Sequence, residues 1–400
     1  MKKKKLLLLG GSAYILPVIE EAHKLGLHVI TCDYLPENVA HRYSDEYRNI
    51  SIIDKDAVLA AAREMEIDGV MSFACDPGVV TAAYVAEKLG LPFAGSYESV
   101  SILQDKGRFR DFLRSNGFNT PWSGSYGSWE EAKADSGRFT YPAIVKPVDS
   151  AGSKGVRRID APGELEDAVS HALNYSHGGR VIVEEFLEKQ GASSDCDGFS
   201  ADGKLCCCAF DDQLFDEAAE NPYTPAAYCW PSTMPERAQA ELRREVQRLI
   251  TLLGLKSSVY NIETRLCTNG KPYIMELSPR GGGNRLSEML SMNAGVDLIR
   301  NAVKAAVGLP VEELSDPVYD GFWTELILHS ARDGVYRGVR IADEMKKYVK
   351  SCDMWVEPGE KVERFTGANK AIGTLAAQFP DRDSMEKAVK DTDWIEILTD

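Results

Sequence analysis

The sequence predicts a chain of α/β and α+β domains, and three observations carry that expectation. Its 400 residues exceed what a single hydrophobic core usually organises. The first hundred residues alternate short apolar runs with helical periodicity, whereas strands predominate after residue 120. The content of 44% apolar and 27% charged residues is ordinary for a soluble globular enzyme.

In the first region, 1–100, the runs KLLLL, HVITC and GVMSF read as strands, and 14–25, 54–65 and 79–89 as helices. This is the pattern of a parallel sheet covered on both faces. The first turn, Gly10-Gly11-Ser12-Ala13, lacks the GxGxxG spacing, which leaves a nicotinamide site weakly supported. Ser12, Asp33 and Asp76 stand at carboxyl ends of these strands, each as a cap or turn residue or as a ligand contact.

A helix over 105–115 opens the second region, 101–308. There YPAIVKP, a Gly- and Ser-containing loop, GVRRI, a helix over 162–175 and RVIVEEF make an α+β unit. Two strands near 197–201 and 204–210 flank the turn Ala201-Asp202-Gly203, and 221–235, rich in Pro and Tyr, reads as a long connection. A helix over 236–253, two strands about Asn269-Gly270 and a helix over 296–307 follow. The remainder, 309–400, reads as a small α+β portion with strands near 323–329 and 371–379.

The formal charge of −15 argues against a surface built for nucleic acid or anionic lipid. Nine scattered cysteines without a CxxC pair suit a reduced compartment, so a cytoplasmic location is expected. Lys2 to Lys5 followed by Leu6 to Leu9 resembles the start of a signal peptide. However, Gly10-Gly11-Ser12 interrupts the run, Glu20 and Glu21 follow, and no Ala-x-Ala site appears. No apolar stretch reaches the roughly 18 residues of a membrane span.

The most informative segment is VYNIETRLCTNGKPYIMELSPRGGG. Asn-Gly between alternating runs signals a hairpin. Alternation puts Asn261, Glu263 and Arg265 on one face of its first strand, and Glu276 with Ser278 on one face of the second. A two-residue turn at Asn269-Gly270 sets Glu263 opposite Glu276 and Asn261 opposite Ser278. Facing carboxylates repel unless compensated. One compensation is a charge network with Arg265 and Arg280; the other is a cation such as Mg2+, which takes carboxylate oxygens and keeps waters for substrate phosphates. A phosphate ligand would need cationic donors. Lys146 ends a strand before the loop 148–155, in which Gly152 and Gly155 let backbone N–H groups approach an anion and Ser150 and Ser153 add hydroxyls. A plain hairpin loop is the competing reading. Lys106, at a helix start where the dipole disfavours a cation, is a second candidate phosphate contact or a solvated lysine.

In this order, Lys106, IVKPVDSAGSKGV, VIVEEFL, NIETRL and IMELSPRGGG resemble the motifs of the ATP-grasp superfamily over roughly residues 1–310. The resemblance implies a Rossmann-like pre-ATP-grasp domain, a two-part ATP-grasp domain and a C-terminal portion completing the site. It also implies that Lys106 and Lys146 bind ATP phosphates under the 149–155 loop, that Glu184 and the backbone of Glu185, Phe186 and Leu187 meet adenine, and that Glu263 and Glu276 carry Mg2+ or Mn2+. Ser278 stands where the family has a metal-ligating Asn. Glu188 is the substitute for a ribose-binding Glu that is not evident in 190–194. Arg280 matches the family's arginine beside the transferred phosphoryl group, where a guanidinium stabilises developing charge. Gly282 and Asn284 are expected at the substrate, and Arg265 as a clamp for its carboxylate.

SPRGGGN is closer to the amino-acid and peptide ligase branch than to the biotin carboxylases. The resemblance therefore implies an ADP-forming ligase that activates a carboxylate as an acyl phosphate and couples it to an amine, with Arg280 and Lys146 catalytic. The alternatives are a purine-type ligase or carboxylase acting on a phosphorylated substrate, and a non-catalytic nucleotide-binding regulator. Expected partners are small carboxylates and amines, and a homodimer is expected by analogy with the superfamily.

Overall fold

A computed structural model describes residues 3–150, 152–216, 224–367 and 370–400. Strands β1 (Lys5–Leu9), β2 (His28–Asp33), β3 (Glu46–Asn49) and β4 (Gly69–Ser72) form a parallel sheet in the order β3-β2-β1-β4. Helices α1 (Leu16–Lys24), α2 (Lys55–Met65) and α3 (Asp76–Leu89) cover it. The leucine run is buried because it is sandwiched: Leu7 and Leu9 pack with Val58, Ala62 and Val85, while Leu6 and Leu8 pack with Val18 and Ala22.

Helix α4 (Tyr97–Gln104), which the sequence reading did not identify, leads into α5 (Lys106–Ser115), the helix expected over 105–115. They break at Asp105, whose extended backbone closes α4 and whose carboxylate caps the Arg108 N–H of α5. An antiparallel sheet follows, from β5 (Ser123–Tyr126), β6 (Ala143–Pro147), β7 (Arg157–Ile159) and β8 (Val181–Glu185), ordered β5-β8-β6-β7. Its helices α6 (Trp129–Ala134) and α7 (Leu165–Leu173) bury Ala132, Leu165, Val169 and Ala172 against Val145 and Val183.

The chain then crosses into a nine-stranded sheet. Its strands are β9 (Lys189–Ala201), β10 (Lys204–Cys208), β11 (Asp212–Phe215), β12 (Pro225–Trp230), β13 (Ser258–Cys267), β14 (Pro272–Ser278), β15 (Phe322–His329), β17 (Val349–Met354) and β19 (Ala371–Phe379). The order is β14-β13-β9-β11-β12-β15-β19-β17, with β10 on β9. Helix α8 (Glu236–Leu252) and α5 cover one face through Phe109, Leu242, Val246 and Leu249 on Tyr260, Ile262 and Leu277. Helices α9 (Leu286–Ala294) and α10 (Leu298–Ala306) follow β14, and α10 packs on α1, joining the two halves of the molecule. Strands β16 (Gly334–Ile341), β18 (Lys361–Val362) and β20 (Ile395–Thr399) form a small sheet, and α11 (Arg382–Lys390) lies over β15 and β19.

Three details depart from the sequence reading. The long connection over 221–235 contains β12, an interior strand between β11 and β15. Proline is tolerated at its first residue, and the composition PAAYCW hides a strand that burial stabilises. Asn221, Pro222 and Tyr223 lie outside the described residues. The C-terminal strands β15, β19 and β17 extend the large sheet instead of forming one of their own. The hairpin turn holds three residues: Cys267 N–H donates to the Lys271 carbonyl at 3.0 Å, and Gly270 has φ 75°. Such a turn alone would offset the glutamates by one residue. A bulge at Met275 restores the register, so Glu263 does pair with Glu276 and Asn261 with Ser278.

Candidate active site

The hairpin carboxylates stand on the face of the large sheet turned away from α8. Strand β9 runs beside β13 and adds Asp195 opposite Glu263 and Asp197 opposite Asn261, two acids that the sequence reading did not single out. Lys106, on the first turn of α5, places Nζ 3.2 Å from a Glu276 oxygen and donates to the Ser150 carbonyl at 2.9 Å. Burial pushes the Glu276 carboxyl up, yet Lys106, backed by Lys146 and Arg110, holds it below the ordinary glutamate value. Arg265 turns back on Glu263 at 3.2 Å, which makes it a neighbour of the carboxylate pair. Two carboxylates on adjacent strands with partly exposed oxygens fit a hard divalent cation. Among the described residues no group of three His, Cys, Asp or Glu side chains is arranged to hold a metal, so phosphate and water oxygens would complete the coordination.

Across the cleft, the β6 strand carries Lys146 to within 2.6 Å of Glu184 on β8, and Arg110 of α5 donates to the other Glu184 oxygen at 2.9 Å. Burial raises the Glu184 carboxyl, but these two cations overrule it and hold it at about 2. Both oxygens are thus engaged by cations, and what Glu184 does here is orient Lys146. Arg110 also donates to the Met275 carbonyl, the bulge residue, at 2.7 Å, tying α5 to β14. The crossing from β8 to β9 runs through Glu185 and Glu188, both exposed, Phe186, and Leu187, which is buried with Cys267, Tyr273 and Met275 in an apolar floor suited to a planar base. Glu185 and Phe186 donate their N–H groups to Trp122 and Pro142, and the Glu188 carbonyl accepts from Thr268. In the loop, Gly152, Ser153 and Gly155 all have left-handed φ, a conformation that turns successive N–H groups inward. Ser150 donates its hydroxyl to the Tyr175 carbonyl at 2.7 Å, and Asp149 accepts from Ser176, His177 and Gly178. Ala151 lies outside the described residues.

Arg280 is buried and grips Asp76, the first residue of α3, through two nitrogens at 2.9 and 2.7 Å. Ser278 is oriented differently from the expected metal ligand: its hydroxyl donates to Asp76 at 2.9 Å and accepts from Gln104 at 2.8 Å. It therefore braces the Arg280 pair rather than offering a free oxygen to a cation. Gly282 donates its N–H to Asp197 at 2.8 Å, and a Cβ there would meet Leu286, Asn261 and Asp197 within 2.9 Å. Only glycine fits. Burial and, for Asp195, the neighbouring Glu263 push Asp195 to about 7 and Asp197 to about 6. Asn284 and Arg285 both adopt left-handed φ, strain of about 1 kcal/mol each or more. This kink lets Asn284 accept from the Tyr14 hydroxyl and donate to that of Tyr228, both at 3.1 Å.

The strand register lines these groups into one polar row. Glu276 faces Glu263, Glu263 faces Asp195, Gln213 of β11 donates to Asp195 at 3.3 Å, Gln213 faces Tyr228, and Tyr228 faces Glu325 of β15. Of these, sequence patterning reached only the two hairpin glutamates.

Comparison with known proteins agrees with this architecture. The ATP-grasp domain model matches residues 139–288, and the ATP-grasp N-terminal domain model residues 19–93. A carbamoyl phosphate synthase large chain from Thermotoga petrophila is 28% identical over 291 residues, 72% of this chain and 26% of the relative. The chain thus spans about a quarter of that relative's length. A formate-dependent phosphoribosylglycinamide formyltransferase from a Synechococcus strain is 26% identical over 311 residues, 77% of each. Among solved structures, an L-amino acid ligase from Bacillus licheniformis matches with TM-score 0.82 at 21% identity, and a phosphoribosylglycinamide synthetase from Anaerococcus prevotii with 0.77 at 19%, each over 100% of both chains. At such identities these likenesses concern the fold. No helix among the described residues is long and apolar enough to cross a membrane. Two adjoining domain models, the expected motif order and two facing sheets with lysines opposite paired glutamates lead to one assignment: the chain belongs to the ATP-grasp superfamily.

Proposed function

We propose that this chain is an ADP-forming ligase that activates a small carboxylate with ATP and couples it to an amine. The observation that carries the reading is the facing pair Glu263 and Glu276, with Lys106 of α5 on Glu276 and Lys146 of β6 directed into the same cleft. Glu263 and Glu276 would hold Mg2+, or Mn2+ in its place, which neutralises phosphate charge. Lys106 and Lys146 would bind phosphate oxygens, exchanging their carboxylate partners for the nucleotide. The substrate carboxylate attacks the γ-phosphorus and ADP leaves. The amine nitrogen, having lost a proton, then attacks the acyl carbon and phosphate leaves. Arg280, fixed by Asp76, would stabilise charge on the acyl phosphate, so catalysis is positioning plus electrostatics. A purine-type reading needs a further phosphate site, and the nearby arginines 280 and 285 are already paired with carboxylates. Homodimer formation and a cytoplasmic location belong to this proposal.

The test is ADP release across amino acids and other carboxylates, with and without amines and Mg2+. Turnover should require both a carboxylate and Mg2+, and Glu276→Gln should lower it by about 100-fold, roughly 3 kcal/mol. Tight ATP binding without turnover of any carboxylate would replace the ligase with a nucleotide-binding regulator.

A further inference from the structure

The far end of the polar row contains a carboxylate that nothing in the fold explains. Glu325 is 0% exposed, and its oxygens make no well-formed hydrogen bond among the described residues, although the Thr374 hydroxyl lies beside them. An isolated buried carboxyl is costly and is retained where it meets something. Burial disfavours its charged form; the Arg285 charge and then the Thr374 hydroxyl are the nearby groups that favour it. Arg285, however, is already matched, 3.1 Å from Glu288 and ion-paired with Asp353. At the other end, Arg280 is taken by Asp76. Arg280 and Arg285 are thus matched to carboxylates outside the row, while Arg265 meets, among the described residues, only Glu263.

The surroundings are polar and aromatic side chains from distant parts of the chain. Tyr14, from the first turn of the N-terminal sheet, stands edge-on to Trp355 with centroids 5.1 Å apart, and the hydroxyl chain Tyr14, Asn284, Tyr228, Asp195 connects it to the metal end. A Cβ on Gly283, in the loop beside Asn284, would touch nothing within 4 Å. Three parts of the chain converge here: the N-terminal turn, the glycine loop and the C-terminal strands of the large sheet.

We infer that Glu325 is the anchor of a subsite for a cationic nitrogen, ammonium or guanidinium, carried by the substrate at the end remote from its reacting carboxylate. From β9 to β15 is three strand spacings, roughly 14 Å at the backbone. Between side-chain tips, that gap suits a substrate of the length of a basic amino acid or a dipeptide. The incoming cation would supply the partner that Glu325 lacks, and a neutral analogue would leave the carboxyl unpaired. A site built around a buried polar group rejects the analogue that cannot satisfy it. The inference rests on the ligase reading only for the position of the reacting carboxylate.

The experiment is calorimetric titration of the full chain saturated with Mg-ADP, using lysine, ornithine and arginine, their dipeptides with alanine, and the neutral counterparts norleucine, ε-acetyl-lysine and citrulline. At least one cationic compound should bind tenfold or more tightly than its neutral counterpart. Glu325→Gln, an isosteric change whose fold is checked by its melting curve, should reduce that preference below threefold while Mg-ADP affinity is unchanged. The inference is overturned if no cationic compound binds, if neutral counterparts bind equally, or if the preference survives in Glu325→Gln. ADP release separates the two readings: turnover of neutral carboxylates without any cation preference sinks the subsite alone, whereas cation-selective binding without ADP release sinks the ligase and retains the subsite.

Discussion

Glu184 and Glu325 are both buried glutamates on interior strands, and their surroundings could hardly differ more. Glu184, in the small sheet, is held by Arg110 and Lys146 and stays ionised down to about pH 2. Glu325, in the large sheet, has no cation bonded to it and no well-formed hydrogen bond among the described residues, with only the Thr374 hydroxyl beside it, and burial pushes it well above the usual carboxylate range. A carboxylate that the fold has paired belongs to the scaffold and orients a neighbour; one left without a cation is the anchor inferred above for a ligand's charge. The contrast also separates two ways of building a cleft, one side preorganised and the other waiting for its occupant.

The strongest challenge to the paired side is Arg110→Ala. Arg110 is fully buried, so its removal strands much of the Glu184 charge and frees the Met275 carbonyl. Breaking a buried pair from one side costs about 3–5 kcal/mol, to be read as a lowered urea midpoint with the slope unchanged. A loss below about 1 kcal/mol would show that Lys146 alone satisfies Glu184.

The two glutamates should also give pH dependences of opposite sign. The folded Glu184 lies below its unfolded value, so its contribution is present above about pH 4.5 and is lost as pH falls toward 2, an amount of about 3 kcal/mol. The folded Glu325 lies above its unfolded value, so the folded state holds the proton more tightly. Its contribution is greatest below about pH 4.5 and is lost as pH rises through the folded value. Glu325→Gln should therefore stabilise the ligand-free protein at pH 8 by about 1–3 kcal/mol, the desolvation penalty of an unmet group. The gain should fade toward pH 4. A variant less stable than the parent at pH 8 would mean that Glu325 is satisfied within the fold.

The smallest effect is expected at Ser278→Ala. Its hydroxyl bridges Asp76 and Gln104, so stability should fall by about 1 kcal/mol while the Mg2+ concentration for half-maximal ADP release shifts less than threefold. A tenfold shift would return Ser278 to the metal.

The parts legible in the sequence were those whose partners are close along the chain. KLLLL and GVMSF read as strands buried on both faces because apolar side chains follow one another without alternation, from Leu6 to Leu9 and at Val70 and Met71, and the hairpin glutamates were visible because alternation fixes a face and Asn-Gly fixes a turn. The turn itself was misjudged by one residue, and the facing pair survived because the Met275 bulge moved the register back. The extended run PAAYCW was hidden between prolines, its strand character coming from burial between β11 and β15. Arg110 was not singled out, since nothing local tells a solvated arginine from one that Glu184 will claim 74 residues later.

The sequence by itself therefore determined the two paired glutamates and the glycine loops, because each follows from periodicity or from backbone freedom within a few residues, and it offered Lys106 and Lys146 as candidates. Only the tertiary structure decided that Asp195, Tyr228 and Glu325 share a row with them. Side-chain alternation assigns a residue to one of two faces of its own strand, and which strand lies beside it is set by long-range pairing and by burial of the opposite face.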